Sequence, residues 1–517
     1  MSGRAIERRK QDYKRGVSCE DARRRRTEHQ VSIRKNKREE GLQKRRNLEV
    51  IEEPGPSDET AAAPDLQTLK AGLSHADVNV QIQCMRGIRK MLSKEGNPPV
   101  KLVMSAGLLP IIVATLSRED STELMFEAAW AVTNIASTDY TAEVAAHGAI
   151  APLSRLLMHK SADLREQCAW CLGNIAGDSP ALRDLVLDGG DAVRGLLLNI
   201  TQAASPSLMR NCVWALSNFC RGKPHPRAEL AAAAAPVAVS VLSSSDDEAR
   251  VDAGWALSYL SDGDNDRIEV VVDAGALPPL MAMLDSKAAA VVTPALRAVG
   301  NIVTGSDAAT QAAVDHGALP RLVRLLAHTK KGIRKESCWA LSNIAAGSTH
   351  QIAALCACEG ALAGLVMQLE TGEWDVQKEA AWAISNLCTS GSKAQARKVV
   401  KLGGIAPMCS LLDKADTNIV IVALEAIERM LKADDSDDQA TATRVDECGG
   451  MDLIERLQYH DDQRVYEKAS NILQTYFGGD SEGEEDENFA PNAAEGDATF
   501  SFGTPNVVPS GAQRFAF

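Results

Sequence analysis

The sequence predicts an all-α solenoid of about ten stacked helical repeats, with a basic arm before it and an acidic tail after it. Three observations predict this. A Trp and an Asn four residues apart return about every 42 residues, as Trp130/Asn134, Trp170/Asn174, Trp214/Asn218, Trp339/Asn343 and Trp382/Asn386. The same frame gives Trp255/Tyr259 and Arg297/Asn301 between the third and fourth pairs. Residues four apart share one face of an α-helix, and a fixed period of this length means units that bury their apolar sides against their neighbours. The second observation is a recurring turn: Ala106-Gly107-Leu108-Leu109-Pro110, Gly148-Ala149-Ile150-Ala151-Pro152, Gly275-Ala276-Leu277-Pro278, Gly317-Ala318-Leu319-Pro320 and Gly404-Ile405-Ala406-Pro407. The third is composition. Apolar residues make up 45% but aromatics only 4%, so Ala and Leu fill the interior, as closely stacked helices require.

Residues 1–48 form the basic arm. Through residue 47 it holds 17 Lys/Arg and 7 Asp/Glu, a balance of +10, while the rest of the chain stands at −23 and the whole at −13. Ser18 and Asp21 read as a capping box, and good helix formers without Pro follow. Val31, Ile33 and Leu42 give no stripe wide enough for a core, so the arm is expected to be poorly ordered alone and helical against an acidic surface. Residues 49–65, with Pro54, Gly55, Pro56 and Pro64, read as a flexible linker. Residues 66–477 are the solenoid. Residues 478–517 are a tail that opens acidic (Asp480, Glu482, Glu484, Glu485, Asp486, Glu487) and ends with Phe500, Phe502, Phe515 and Phe517. It reads as solvated and disordered.

Within a unit, Gly ends one helix and Pro starts the next. An apolar helix and a short polar break follow, and then the helix carrying Trp and Asn. Three helices in about 42 residues fit the armadillo unit rather than a two-helix repeat of about 34. The phase extends back to Ile88/Leu92 and forward through Glu425 to Lys468. The twelve Cys are scattered. Cys168 and Cys171 form a single CxxC around Trp170, without the further ligands that zinc requires, and read as packing. No run of about 20 apolar residues occurs, and the Ala-rich run at 228–242 is interrupted by Pro236. The N-terminus is charged with no apolar signal core. The chain is expected to be intracellular.

The Trp-bearing helices, stacked roughly 10 Å apart, line one concave face. An extended peptide advances about 3.3 Å per residue, so successive Trp residues meet about every third residue of a ligand. Asn amides donate and accept and so can hold a peptide backbone of any sequence. The spaces between indole faces take aliphatic stems with cationic heads. A core aromatic needs no amide one turn away, whereas a peptide-binding surface does. Acids at the same phase set the ligand's sign: Glu166, Asp178, Asp252 and Asp262 in the first half, and Asp307, Glu336 and Glu379 in the second. The expected ligand is an extended Lys/Arg-rich segment. Arg297, standing where a Trp is due, divides the face into two Trp-lined stretches.

These segments, among them Trp130-Ala131-Val132-Thr133-Asn134, Gly173-Asn174-Ile175-Ala176-Gly177-Asp178 and Trp382-Ala383-Ile384-Ser385-Asn386, resemble the importin-alpha (karyopherin-alpha) family. The resemblance covers the arm, all repeats and the acidic patch, and departs in a shorter loop after Asn134. It implies a right-handed superhelical armadillo solenoid that acts as a nuclear import adaptor for classical localisation signals. It implies a major cargo site on Trp130, Asn134, Thr141, Glu166, Trp170, Asn174, Asp178, Trp214, Asn218, Asp252 and Trp255, where Asp178 takes the key Lys. A minor site is implied on Arg297, Asn301, Asp307, Glu336, Trp339, Asn343, Glu379, Trp382 and Asn386. The arm, with Arg23–Arg26, Arg34-Lys35-Asn36-Lys37-Arg38 and Lys44-Arg45-Arg46, is similar to the family's importin-beta-binding segment. That implies importin-beta as partner and Lys44, Arg45 and Arg46 as an autoinhibitory mimic of cargo. The last repeat around Tyr476 and residues 480–487 match where the family's export receptor docks. Shuttling between cytoplasm and nucleus through nuclear pores is implied.

Other classes fit less well. A general armadillo scaffold for acidic partners needs a basic groove, and this one is acidic. A nucleic-acid binder working through the arm would show steep salt dependence, but the acidic body opposes it and no RNA-binding aromatic motif accompanies the arm. No phosphate loop, metal-spaced cluster or activated nucleophile appears, so neither an enzyme nor a cofactor site is expected.

Overall fold

The structure, a computed structural model, describes residues 65–94, 98–435 and 439–478. The arm with its capping box, Lys44, Arg45 and Arg46, the linker through residue 64 and the tail from 479 lie outside the described residues.

Among the described residues every regular element is helical. The backbone of the solenoid is a series of long helices: Val78–Leu92, Thr122–Ile135, Ala162–Asp178, Pro206–Cys220, Asp247–Leu260, Ala289–Ile302, Lys331–Ala345, Trp374–Ser390, Thr417–Ala433 and Gln463–Tyr476. Each packs on the next. Two shorter helices precede most of them, as Thr141–Ala146 and Ile150–Leu156 precede Ala162–Asp178. The long helices start where polar side chains cap them. Ser121, Ser161 and Ser205 accept the N–H of Leu124, Leu164 and Leu208, and Asp246 accepts that of Ala249, contacts worth about 1 kcal/mol each. Val78–Leu92 and the last two helices lack the Trp–Asn pair but continue the stack, as the phase of Ile88/Leu92 and Glu425/Lys468 predicts.

One hydrophobic core runs the length of the described chain. Fully buried alanines on the long helices, such as Ala128, Ala129, Ala131, Ala169, Ala215 and Ala340, let backbones approach closely, which is why few aromatics are needed. The turn glycines behave as the sequence pattern requires. Gly107, Gly148, Gly275 and Gly317 have φ of 66°, 79°, 79° and 80°, a region that L side chains resist. At the fifth turn the role falls to Gly403 (φ 84°) rather than Gly404, which is right-handed. Cys168 and Cys171 are fully buried, and burial pushes the Cys171 thiol up to about 12. Both pack as apolar side chains.

The structure departs from the three-helix pattern in the fifth unit. Residues 221–227, Arg-Gly-Lys-Pro-His-Pro-Arg, form no helix, because Pro224 and Pro226 lack N–H donors and Gly222 sits at φ 105°. One long helix, Ala228–Leu242, then replaces two short ones, and Pro236 does not break it. Ala232 and Pro236 are both exposed, so water can satisfy the carbonyl that Pro leaves without a donor. The irregular segment is held by Arg183, which is fully buried. Its guanidinium donates to the carbonyls of Arg221 at 2.7 Å and Pro224 at 2.9 Å and to Asp184 Oδ1 at 2.7 Å. Arg183→Met is expected to destabilise this unit by on the order of 3 kcal/mol, since buried acceptors lose a charged donor. Hydrogen exchange at residues 221–227 should rise at least tenfold; unchanged exchange there would refute the stitching role.

Candidate peptide-binding face

The six ladder Trp residues lie on consecutive or near-consecutive long helices. Trp170 and Trp339 are buried, at 8% and 7% exposure, while Trp130, Trp214, Trp255 and Trp382 are half-buried. Two of the indoles rest on glycine. A Cβ at Gly173 would lie 2.4 Å from the Trp214 ring, and one at Gly300 would lie 2.3 Å from the Trp339 ring. Each glycine immediately precedes a ladder Asn, so the unit before each indole provides its floor. Phe126 meets Trp130 edge-on with ring centres 5.7 Å apart, and Trp255 stacks on Tyr259 at 6.0 Å.

The Asn ladder is more deeply engaged than the sequence suggests. All six residues are at most 5% exposed. Asn174, Asn218, Asn301 and Asn386 donate through Nδ2 to the carbonyls of Thr133 (3.4 Å), Gly173 (3.1 Å), Ser258 (2.8 Å) and Ser342 (3.0 Å). In every case the acceptor belongs to the preceding long helix and stands just before that helix's own ladder position. Asn134 makes the equivalent bond to Ser93 Oγ at 2.9 Å, while Asn343 donates within its own helix to the Trp339 carbonyl at 2.9 Å. Each amide thus first joins helices or closes a turn, which leaves the remaining N–H and Oδ1 to meet a ligand. Asn174 Oδ1 is buried without a partner, an acceptor that a ligand backbone N–H would satisfy.

The acids differ in exposure and in what they bind. Asp178 is exposed, forms no ion pair or hydrogen bond among the described residues, and is the last residue of Ala162–Asp178. The next helix, Pro180–Asp188, starts at once with Ser179 as its N-cap, so the carboxylate is held at the corner between two helices. Glu166 accepts from the neutral donors Ser207 Oγ at 2.7 Å and Asn211 Nδ2 at 2.8 Å. Asp252, Asp262 and Glu379 are half-buried along the same series, and Asp307 is exposed at the start of Asp307–Asp315.

Glu336 is a correction. It is 8% exposed, and Arg297 clasps it with both ends of the guanidinium, Nε to Oε2 at 2.8 Å and Nη2 to Oε1 at 2.6 Å. The position where a Trp is due thus carries an internal ion pair across two helices, not a free carboxylate. Thr141 is also placed differently. It is 3% exposed, and its hydroxyl donates to the carbonyls of Ala136 and Thr138, which fixes the turn after Asn134 rather than presenting a hydroxyl.

Of the other ion pairs between neighbouring units, two place a cation at the Trp phase as Arg297 does. Arg89 stands over the Trp130 ring, 4.5 Å from its centre, and pairs with Glu127 at 2.9 Å. Lys468 pairs with Glu425 at 3.1 Å. At the Trp phase such pairs thus sit before the first Trp, at the middle of the ladder and beyond the last Trp, while others, such as Arg210–Glu248 at 3.5 Å and Lys331–Asp375 at 3.4 Å, lie off that phase. Their sequence signal was opposite charges about one unit apart at ladder phase.

Comparison with known proteins agrees with this architecture. Residues 9–86 match the importin beta binding domain. Residues 96–137, 137–177, 264–304, 306–346 and 348–389 match the armadillo/beta-catenin-like repeat, and residues 439–492 match an atypical Arm repeat. The chain is 45% identical to importin subunit alpha-2 of Arabidopsis thaliana, over 98% of both chains. It is 45% identical to importin subunit alpha-1a of Oryza sativa subsp. japonica, over 96% of this chain and 97% of that one, and 44% identical to importin subunit alpha-B of Dictyostelium discoideum, over 93% and 95%. A crystal structure of an engineered protein superposes with a TM-score of 0.73 at 28% identity, covering 80% of this chain and all of that one. Fold and matches define an armadillo-repeat transport adaptor, not an enzyme. The chain belongs to the importin-alpha family. Its role is nuclear import, with importin-beta and cargo peptides as its two kinds of partner.

Proposed function

We propose that the ladder face takes Lys/Arg-rich nuclear localisation signals at two stretches. The first is built on Trp130, Trp170, Trp214 and Trp255 with their amides, Glu166, Asp178 and Asp252. The second is built on Trp339 and Trp382 with Asn301, Asn343, Asn386, Asp307 and Glu379, and the Arg297–Glu336 pair marks its near edge. A bipartite signal spans both. The observation that carries this reading is Asp178, an exposed carboxylate with no partner among the described residues, at a helix end one turn past Asn174. The long stem of a Lys packs between the indoles while its head reaches the carboxylate.

The arm at residues 1–48 links the cargo complex to importin-beta, and residues 49–65 tether it. When importin-beta is absent, Lys44, Arg45 and Arg46 occupy the face in cis. A short flexible tether gives an effective concentration of about millimolar, enough for a weak internal sequence to compete with cargo. Importin-beta then uncovers the face by taking the arm, and cargo loading is coupled to carrier binding. The last repeat near Tyr476, with residues 480–487, receives an export receptor, so that the protein shuttles between cytoplasm and nucleus through the pores. Loss of export-receptor binding on deletion of residues 478–517 is the test of that last contact.

The arm is tested by measuring a fluorescent Lys/Arg-rich peptide against the full chain and against residues 49–517. The shorter protein should bind about tenfold more tightly or better, and importin-beta should erase the difference. Equal affinities would remove autoinhibition from the reading.

A further inference from the structure

At the first-unit end of the ladder the chain supplies its own cation. Arg89, on Val78–Leu92, reaches across to Thr122–Ile135 and binds Glu127, which is buried and lies three residues before Trp130. Arg297 binds Glu336, three residues before Trp339, in the same way. Arg89 therefore stands to Trp130 as Arg297, at a position where a Trp is due, stands to Trp339. Three residues before Trp382 the acid recurs as Glu379, but there the preceding unit presents Trp339 in place of an arginine. Two guanidiniums hold the Glu127 carboxylate: Arg89 Nε donates to Oε2 at 2.9 Å and Arg86 Nε to Oε1 at 3.0 Å. The Arg89 guanidinium also lies over the Trp130 ring, 4.5 Å from its centre. An alkyl stem held between two flat groups needs about 7 Å, twice the carbon contact distance of about 3.5 Å, so no ligand stem fits between Arg89 and Trp130.

We infer that Arg89 determines specificity by closing the first stretch: it fills the slot beyond Trp130 with a built-in cation and so limits the length of basic run that the face reads. The inference rests on the reading of the ladder as a face for Lys/Arg-rich peptides. A Lys offers a stem for packing against an indole and a head for a carboxylate. Past Trp130 it finds the indole already covered by a cation and the carboxylate already held by two, so it gains no more than an Ala would. The other end of the stretch differs, because beyond Trp214 the ladder continues to Trp255, and a Lys there gains both packing and charge. The first stretch is therefore asymmetric: a basic cluster can be lengthened with profit at one end only. Removing the Arg89 side chain opens the slot and leaves Glu127 one guanidinium, that of Arg86, which converts the closed end into a further cation position.

The test uses the full chain and compares ratios of affinities, so that competition from the arm cancels. Three labelled peptides share one basic cluster and carry Ala at both flanks, Lys at the amino-terminal flank or Lys at the carboxy-terminal flank. In the parent, Lys at one flank should tighten binding at least threefold, and Lys at the other should change it less than twofold. In Arg89→Ala the second flank should also gain at least threefold, with thermal unfolding as the folding control. Arg89→Lys, which restores a cation, should behave as the parent does, an outcome that a purely structural role for the side chain would not require. Gains at both flanks in the parent would overturn the inference, and so would flank preferences in a folded Arg89→Ala that match the parent's. Should Arg89→Ala fail to fold, the parent's two flanks still decide, since a gain at both contradicts a filled slot. Failure of all three peptides to bind either protein would overturn the ladder reading itself and this inference with it.

Discussion

Asp178→Lys is expected to weaken binding of a Lys/Arg-rich peptide by about a hundredfold or more. The size follows from the surroundings. Two unit charges about 4 Å apart near a protein surface interact by up to about 4 kcal/mol, and exposure and salt reduce this. Reversing the sign both removes the attraction and adds repulsion, so a net loss of about 3 kcal/mol, or roughly a hundredfold, remains after screening. Asp178 is exposed, so a Lys side chain is accommodated there in the free protein. The substitution therefore affects the complex rather than the fold. Trp170→Ala should cost about 2 kcal/mol of affinity through lost packing but should leave salt dependence nearly unchanged, whereas Asp178→Lys should flatten it. The measurement is a titration of residues 49–517 with labelled peptide at two salt concentrations. An affinity within twofold of the parent would take Asp178 out of the site and undermine the cargo reading of the first stretch.

What the sequence made legible, and what it hid, follows from range. The repeat, the long helices and the Trp–Asn phase are local patterns of period 3.6 inside a longer period, and local patterns can be read from one chain. The ladder's place on one face needed only that i and i+4 lie together. Contacts between units were not legible in the same way. Nothing in Asn218 alone says that its amide will reach the Gly173 carbonyl, and nothing in Glu336 alone says that Arg297 will neutralise it. Both depend on how far one helix is rotated against the next. The fifth unit was misread for a related reason. Pro236 looks like a break, but its cost depends on whether a carbonyl one turn earlier faces water, and here it does. Pro224 and Pro226, whose effect on the backbone is local, did end helix formation, although the pattern was read as uniform there. Asp178 was legible as an acid at the right phase. Its lack of a partner among the described residues was not.

The glycine floor under two indoles leads to the second large effect. Gly173 and Gly300 lie inside helices, where Ala would ordinarily be favoured by about 1 kcal/mol. A methyl group at Gly173 would stand 2.4 Å from the Trp214 ring and 3.0 Å from Ala215 Cβ, well inside the roughly 3.5–4.0 Å of favourable carbon contact. The indole must therefore swing out or the third and fourth units must part, and in either case the slot next to Asp178 changes shape. Gly173→Ala should lower affinity for a single-cluster basic peptide by about tenfold, in line with the roughly 1.4 kcal/mol that a displaced anchor forfeits. Gly300→Ala places a methyl 2.3 Å from the Trp339 ring. It should leave that peptide's affinity unchanged while weakening a bipartite peptide severalfold, because Trp339 belongs to the second stretch. The contrast separates local displacement from general destabilisation, since a solenoid transmits strain mainly to neighbouring units. If both variants weakened both peptides alike, the two stretches would not be independent sites. If neither weakened either, the seating of the indoles would not govern binding.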